Sequence, residues 1–137
     1  MSIDYKAIAK QVFEIEAEAI LHLKTQLDDD FANSVDAILN TQGRVVICGM
    51  GKSGLIGTKI MATFASTGTP CFFMHPGEAF HGDLGMVSPK DIFLALSNSG
   101  ETEEVIRLLP FLKDNGNIVI SMTSRPESTL AVNSDFH

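Results

Sequence analysis

Two short turns in the sequence combine glycine, hydroxyl and charged side chains in an order suited to holding an anion. Gly49-Met50-Gly51-Lys52-Ser53-Gly54 follows an apolar run and precedes a helical pattern, and Ser97-Asn98-Ser99-Gly100-Glu101-Thr102 follows a later apolar run. In the second turn, hydroxyls and the amide hydrogens of a helix N-terminus can converge on phosphate oxygens, and the helix dipole adds positive potential. The first turn adds a cation and a hydroxyl, at Lys52 and Ser53, for the same small anion.

The first turn also satisfies the GxGxxG pattern of dinucleotide sites, which is the main alternative. A dinucleotide site also needs an acidic residue about twenty positions on, to hold the ribose hydroxyls. The stretch from Leu55 to Gly77 contains no Asp or Glu. A nucleotide-triphosphate loop would need glycine at Val46. Both nucleotide interpretations are therefore weakened, and the chain is predicted not to bind NAD.

An ordinary serine-rich helix cap is the alternative for the second turn, and on that turn alone it is the commoner explanation. Both turns, however, follow apolar runs that read as strands of one sheet. Open α/β sheets bind ligands at the carboxyl edge of their strands. The pair of turns therefore favours a ligand site.

The segment His75-Pro76-Gly77-Glu78-Ala79-Phe80-His81-Gly82-Asp83 contains two histidines, two acids and two glycines. These residues can supply acid, base and a flexible backbone. His75 and His81 are six positions apart, which matches no usual metal-ligand spacing, so a metal site is the less favoured interpretation. A surface loop that caps a helix explains the composition equally well.

Strands and helices alternate through the second half of the chain. RVVICGM, CFFMH, DIFLALS and GNIVISMTS read as strands, with helices from about Gly54 to Ser66 and from Glu101 to about Asn115. This alternation predicts a parallel sheet with right-handed crossovers. The intervening stretch from His75 to Pro89 has no continuous periodicity and is predicted to be a functional loop.

The N-terminal part predicts two amphipathic helices. The first runs from Asp4 to Leu27, with apolar residues at helical spacing. The second has a shorter apolar face that begins at Phe31 and ends near Gln42-Gly43. The acidic triplet Asp28–Asp30 between them is better explained as a solvated helix start than as a cation site.

Length and composition set limits on the class of protein. The 137 residues suit a single domain over positions 1–137, and 45% hydrophobic residues indicate that it folds. A formal charge of −7 disfavours nucleic acid and anionic membranes as partners. Cys48 and Cys71 lie in apolar runs without CxxC spacing, which suggests buried thiols in a reducing compartment. With no secretion signal or membrane span apparent, we expect a cytoplasmic location.

Four motifs together resemble the sugar isomerase domain of the arabinose-5-phosphate isomerase family: GMGKSG, FASTGTP, HPGEAFHGDLGMV and SNSGET. SNSGET alone indicates only a wider superfamily of phosphosugar isomerases, synthases and sensors, whereas the HPGEAFHGDLGM block is specific. The resemblance covers essentially the whole chain. It implies a flavodoxin-like parallel sheet flanked by helices in a three-layer sandwich. It also implies interconversion of D-ribulose 5-phosphate and D-arabinose 5-phosphate, which supplies lipopolysaccharide synthesis.

The resemblance also implies the roles of individual residues. The substrate would be bound by Gly51, Ser53, Ser97, Asn98, Ser99 and Thr102, with Lys52, His75, His81 and Glu104 facing the sugar carbons. Aldose-ketose interconversion moves a proton between two carbons through an enediol, so it needs a base and an oxyanion stabiliser but no redox cofactor. We expect His81 to handle hydroxyl or ring-opening protons, Lys52 to stabilise charge and Glu104 to act as acid, base or orienting group. The base at carbon is expected to be a glutamate that family members supply downstream of this segment. No metal or other cofactor is predicted.

Family members continue through a fifth strand and further helices that bring another glutamate and histidine, and many add CBS domains. This sequence has no CBS domain, and it stops at Asp135-Phe136-His137, where the resemblance places the last strand. We therefore expect a truncated domain that is inactive alone. The resemblance suggests a homotetramer. The alternatives are a non-catalytic sugar-phosphate sensor of the same fold and an isomerase acting on another phosphosugar.

Overall fold

A parallel sheet of four strands forms the centre of the computed structural model, which describes residues 3–137. The strands are β1 (Val45–Gly49), β2 (Cys71–Met74), β3 (Ile92–Leu96) and β4 (Ile118–Met122), in the order β2-β1-β3-β4. Every adjacent pair is parallel. All residues of β1 and β3 are buried, which explains their continuous apolar sequences. The predicted flavodoxin-like sheet is confirmed.

Helices cover both faces of the sheet. The helices that cover it are α2 (Asp29–Asn40), α3 (Gly51–Ser66), α4 (Pro76–Ala79), α5 (Glu103–Ile106), α6 (Leu109–Asn115) and α7 (Thr129–Val132), and α1 (Tyr5–Leu23) precedes them without burying a residue. One apolar cluster joins Val46 and Phe93 to Val105, Leu112 and Leu130, on the face covered by α5 to α7. The other joins alternate strand residues to α2 and α3. The predicted three-layer sandwich is therefore confirmed.

Both predicted N-terminal helices are present, although α1 ends at Leu23, four residues before its predicted end. Asp4 caps α1, because its carboxylate accepts hydrogen bonds from the amides of Lys6 and Ala7. Asp28 caps α2 in the same way, through the amide of Phe31. The acidic triplet is thus a helix start, as expected. No helix within residues 3–137 is long and apolar enough to cross a membrane.

The helix predicted from Glu101 to Asn115 is instead two short helices, α5 and α6. Pro110 lies in the first turn of α6 and has no amide hydrogen, so it cannot continue the hydrogen-bond ladder from Ile106. α6 ends at Gly116, whose φ of 81° is left-handed. Because α5 has only four residues, the dipole predicted to favour phosphate at its start is weak.

The stretch from His75 to Pro89 also contains regular structure that its composition did not reveal. It forms α4 and a short 3₁₀ helix at Asp83–Met86. Pro76 stands at the first position of α4, where its fixed φ is favourable, and His75 is the N-cap. The predicted irregular loop is therefore partly helical.

An ion pair between the partly exposed Arg44 and the buried Asp91 closes the opposite, amino-terminal edge of the sheet. Asp91, which is 2% exposed, accepts hydrogen bonds from the Arg44 amide at 2.8 Å, the Arg44 guanidinium at 3.0 Å and the Ser88 amide at 2.8 Å. Burial alone would raise the pKa of Asp91, but the hydrogen bonds and charge of Arg44 outweigh it and hold that pKa below its ordinary value. This network joins the starts of β1 and β3.

Candidate functional site

A cleft of about 380 Å³ opens at the carboxyl edge of the sheet, where three turns meet. The turns follow β1, β3 and β4, which run parallel and side by side, so their ends converge. Its lining residues are Lys52, Ser53, Ile56, Leu96, Ser97, Asn98, Met122, Thr123 and Ser124. The structure therefore brings together the two turns that the sequence singled out.

A larger cavity, of about 830 Å³, lies between α6, α7 and the start of β4. It contains none of the site residues predicted from the sequence. Its charged side chains include Lys113, Asp114 and Asp135, so it offers an anion no net positive charge. We therefore take the smaller cleft as the candidate site.

The turn after β1 depends on the close approach of a strand and a helix. A Cβ atom on Gly54 would lie 2.6 Å from the carbonyl oxygen of Gly49, so only glycine fits there. Gly51 has a φ of 57°, which lets α3 begin at this residue, three positions before the predicted start. Lys52 is exposed and forms no ion pair within residues 3–137, so its ammonium group can bind an anion.

The turn after β3 is held together by its own hydroxyl groups. The Ser97 hydroxyl accepts a hydrogen bond from the Gly100 amide at 3.0 Å and lies 2.7 Å from the Thr102 hydroxyl. Ser97 is buried, so these bonds hold the shape of the turn. The Ser99 hydroxyl accepts from the Glu101 amide at 3.1 Å, which leaves its own hydrogen free to donate.

The same turn leaves backbone donors free. Within residues 3–137 the amide groups of Asn98, Ser99 and Thr102 form no hydrogen bond. Asn98 and Ser99 are also exposed. Since backbone amides are strong, obligatory donors, three free ones in five residues make a natural anion cradle.

The turn after β4 was missed in the sequence, although Thr123 and Ser124 line the cleft. Ser124 donates to the Asn98 carbonyl through its amide at 3.0 Å and its hydroxyl at 2.7 Å. The Thr123 hydroxyl lies 2.9 Å from Nε2 of His137. A usable signal was present, because the strand GNIVISMTS ends in hydroxyl residues just as DIFLALS does before its own turn.

The two histidines and Glu104 do not line the cleft. His75 caps α4, with its Nδ1 accepting from the Gly77 amide at 3.2 Å, so its neutral form carries the proton on Nε2. His81 is exposed, and no hydrogen bond joins it to Asp83 in the described residues. Glu104 is exposed in the first turn of α5. No three His, Cys, Asp or Glu side chains within residues 3–137 are close enough together to hold a metal ion.

The histidine segment nevertheless lies near the helix that carries Glu104, because α4 packs against α5. The guanidinium of Arg107 lies over the ring of Phe80, 5.0 Å from its centre, and joins the two helices at their C-terminal ends. α5 follows directly from the turn after β3. The histidine segment is therefore attached to the wall of the site that carries Glu104.

The turn after β3 carries negative charge at its end, since it contains Glu101 and is followed by Glu103 and Glu104. The hydrogen bond from the Thr129 amide lowers the pKa of Glu101, which keeps its carboxylate charged. With the dipole of the short α5 weak, Lys52 is the cation within the cleft. An anionic ligand here would depend on Lys52 and on uncharged donors.

Known proteins are similar to this chain in sequence and in fold. The SIS domain family matches residues 38–137. The chain is 53% identical over 135 residues to the arabinose 5-phosphate isomerase KdsD of Yersinia pestis, covering 98% of this chain and 41% of the relative. It is 54% identical to a probable arabinose 5-phosphate isomerase of Haemophilus influenzae, covering 97% of this chain and 40% of that protein.

A solved structure is also similar to this chain in both fold and sequence. An E. coli CFT073 protein in complex with arabinose 5-phosphate superposes with a TM-score of 0.82 at 42% identity, covering 98% of this chain and 73% of that one. The chain spans about 41% of the length of the curated relative from Yersinia pestis. The family match includes all three turns of the cleft and the histidine segment. The chain therefore belongs to the SIS domain family, and its sequence groups it with the SIS domains of arabinose 5-phosphate isomerases.

Proposed function

We propose that the cleft binds the phosphate of a phosphorylated pentose and that the domain takes part in interconverting D-ribulose 5-phosphate and D-arabinose 5-phosphate. The observation that carries this proposal is the convergence of Lys52, Ser53, Ser97 and Asn98 in one cleft, beside the free amides of the turn after β3. The named relatives and the solved complex with arabinose 5-phosphate support the choice of substrate. Gly51, Ser99 and Thr102 complete the proposed phosphate contacts. Thr123 and Ser124 also line the cleft, but their hydroxyls already donate to the carbonyls of Arg125 and Asn98, so we assign them to the wall of the site.

The isomerisation takes place at C1 and C2, at the opposite end of the sugar from the phosphate. Groups that act there need not line the phosphate cleft, which fits the position of the histidine segment beside α5. We assign transfer of hydroxyl or ring-opening protons to His81 and charge stabilisation to Lys52, with the carbon base supplied by a glutamate downstream of this segment. Glu104 acts as acid, base or orienting carboxylate, and His75 orients the sugar end. No cofactor enters this mechanism.

The test is an isomerase assay on the chain and on a chimera. In the chimera, residues 3–137 replace the corresponding segment of the full-length Yersinia pestis enzyme, which is about 41% of its length. We expect the chimera to convert ribulose 5-phosphate, and a Lys52→Met chimera of equal stability to lose most of that activity. A folded chimera that binds arabinose 5-phosphate but does not convert it would contradict the catalytic proposal. That result would favour the sensor alternative.

We also propose that the domain self-associates through α1. This helix has 19 residues and buries none of them against the rest of the chain. Its apolar residues include Tyr5, Phe13, Ile15, Ile20 and Leu21, each more than half exposed. In proteins most of the stability of a helix comes from packing its apolar face, and α1 has no such contact within residues 3–137, so a packing partner would stabilise it. A second copy is the partner we propose, in line with the homotetramer that the family resemblance implies.

Light scattering tests this association with two matched variants of α1. The apolar stripe of α1 is formed by residues at helical spacing, which are Ile8, Val12, Ile15, Ala19 and Leu23. Val12 lies on this stripe, and Glu14 lies between stripe positions. Val12→Arg should reduce the mass of the assembly, because it would bury an unpaired charge in the interface. Glu14→Arg should leave the mass unchanged. A monomeric unmodified chain would contradict the proposal.

We further propose a cytoplasmic location. Cys48 and Cys71 are both free thiols, as a reducing compartment favours. Burial raises the pKa of Cys48 to about 12, so this thiol stays protonated and unreactive.

A further inference from the structure

The end of β4 and the segment that follows it form hydrogen bonds with the turn after β3. We call this turn, residues 97–102, the phosphate turn. Four of their residues bond to the backbone or side chains of residues 97–101. The Met122 carbonyl accepts from the Ser97 amide, Ser124 donates to the Asn98 carbonyl, Leu130 donates to the Gly100 carbonyl, and Thr129 donates to the Glu101 carboxylate. The turn is therefore positioned by residues that lie much further along the chain.

These bonds set the direction of the peptide groups that face the ligand. In a trans peptide the carbonyl and the following amide point in opposite directions, and the described chain contains no cis peptide. Ser124 holds the Asn98 carbonyl, so the free Ser99 amide points away from Ser124. Leu130 holds the Gly100 carbonyl at 3.0 Å, and the Glu101 amide accordingly points to the Ser99 hydroxyl at 3.1 Å. The bond from Ser124 thus sets the direction of the free Ser99 amide, and the bond from Leu130 fixes the Glu101 amide that closes the turn on the Ser99 hydroxyl.

Glu101 provides a side-chain bond from this turn to α7. Its Oε1 accepts from the amide of Thr129 at 2.7 Å. That amide belongs to the first residue of α7, which has no acceptor within its own helix. A carboxylate beside a phosphate site repels the ligand, so electrostatics alone argues against Glu101 at this position. The bond to α7 gives a physical reason for its presence.

We infer that Glu101 is a positioning residue for the phosphate turn, acting through the first amide of α7. This inference rests on the proposed function, because it requires that phosphate binds in the turn. A positioning role and a purely electrostatic role of Glu101 predict opposite changes in phosphate affinity when the carboxylate is removed. Removing the carboxylate should weaken phosphate binding if Glu101 positions the turn, and strengthen binding if the carboxylate only repels the ligand.

The experiment measures the affinity of the chain for arabinose 5-phosphate and for inorganic phosphate by calorimetry. Glu101→Ala should weaken binding of both by about fivefold, the scale of coupling between residues in one hydrogen-bond network. Glu101→Gln keeps an acceptor oxygen and should retain near-normal affinity. The matched control is Glu103→Ala, which removes an exposed carboxylate two residues away and should leave binding equal or slightly stronger.

A second pair of variants breaks the same bond from the other side. Thr129→Pro removes the donor amide at the first position of a helix, where proline is tolerated, and the ψ of 157° at Ser128 suits a residue before proline. Thr129→Ala keeps the amide and controls for the lost side chain. Thr129→Pro should weaken binding as Glu101→Ala does, and the double variant should be no weaker than either single one. Melting temperatures recorded alongside identify any variant that does not fold.

The possible outcomes distinguish a failure of this inference from a failure of the proposed function. Ser99→Ala serves as the reference, because it removes a proposed phosphate contact. If Ser99→Ala weakens binding while Glu101→Ala and Thr129→Pro do not, the positioning role is wrong and the phosphate site stands. If neither Ser99→Ala nor Glu101→Ala changes the affinity, phosphate binds elsewhere and both proposals are overturned. Stronger binding in both Glu101→Ala and Glu103→Ala would show that Glu101 acts only through its charge.

Discussion

The contact between the phosphate turn and α7 predicts that Gly100 cannot be replaced, even by alanine. Gly100 is buried with a φ of 66°, and a Cβ atom there would overlap the hydroxyl and Cβ of Ser128. The left-handed conformation costs about 1–2 kcal/mol for a residue with a side chain. Forcing an extra carbon into a packed site adds about 1–3 kcal/mol. We therefore expect Gly100→Ala to lower the free energy of unfolding by about 2–5 kcal/mol.

Gly116 is the matched control for this substitution. Its φ of 81° is also left-handed, but a Cβ atom there would meet no atom within 4 Å. Gly116→Ala should therefore show the conformational cost of about 1–2 kcal/mol alone. Urea denaturation of both variants measures the difference, which is the cost of the contact with Ser128. Adding Ser128→Gly to Gly100→Ala should recover most of that difference, because it removes the overlapping atoms.

Equal destabilisation by Gly100→Ala and Gly116→Ala would refute the reasoning, since it would mean that the turn is not packed against the start of α7. So would a double variant with Ser128→Gly that recovers no stability. Phosphate affinity measured on the same samples should fall in Gly100→Ala and stay unchanged in Gly116→Ala, which lies at the opposite edge of the sheet.

Four further outcomes follow from the structure. Ser99→Ala should weaken sugar-phosphate binding by about 1.5–3 kcal/mol, the loss of one hydrogen bond to a charged group, and unchanged affinity in calorimetry would contradict its role. In the active chimera, His81→Ala should lower kcat by about 100-fold or more with little change in affinity, and near-normal turnover in His81→Gln would refute proton transfer by His81. The lowered pKa of Asp91 makes its pair with Arg44 stabilising above the unfolded pKa of about 3.9, and this contribution is lost as the pH falls through the lower folded pKa. Asp91→Asn should therefore destabilise the chain at neutral pH and flatten its stability profile on the acid side, and an unchanged profile would contradict this. NAD should cause no rise in melting temperature that depends on its concentration.

The sequence alone was enough to predict the sheet and the turns at its carboxyl edge, because both depend on local patterns. Continuous apolar runs such as those around Ile47 and Leu94 indicate strands buried on both faces. Glycines followed by hydroxyl residues indicate turns at the ends of such strands. Their alternation with helices requires a parallel sheet, which brings the turns to one edge. The proximity of Lys52 to Ser97 thus followed from local signals and one rule of topology.

The tertiary structure decided features that no local pattern contains. The break before α6 and the cap at His75 are local, since they follow from Pro110 and from the bond to the Gly77 amide, but the packing of α4 against α5 is a tertiary contact. The bonds from Thr129 and Leu130 to the phosphate turn join residues 28 and 30 positions apart in the chain. Such contacts arise only when the whole chain is folded, since they depend on which elements meet across the sheet. For this reason the place of Ser99 in a turn at the sheet edge was predictable from the sequence, whereas Glu101 looked only like the first acidic residue of a helix and its bond to α7 was not foreseen.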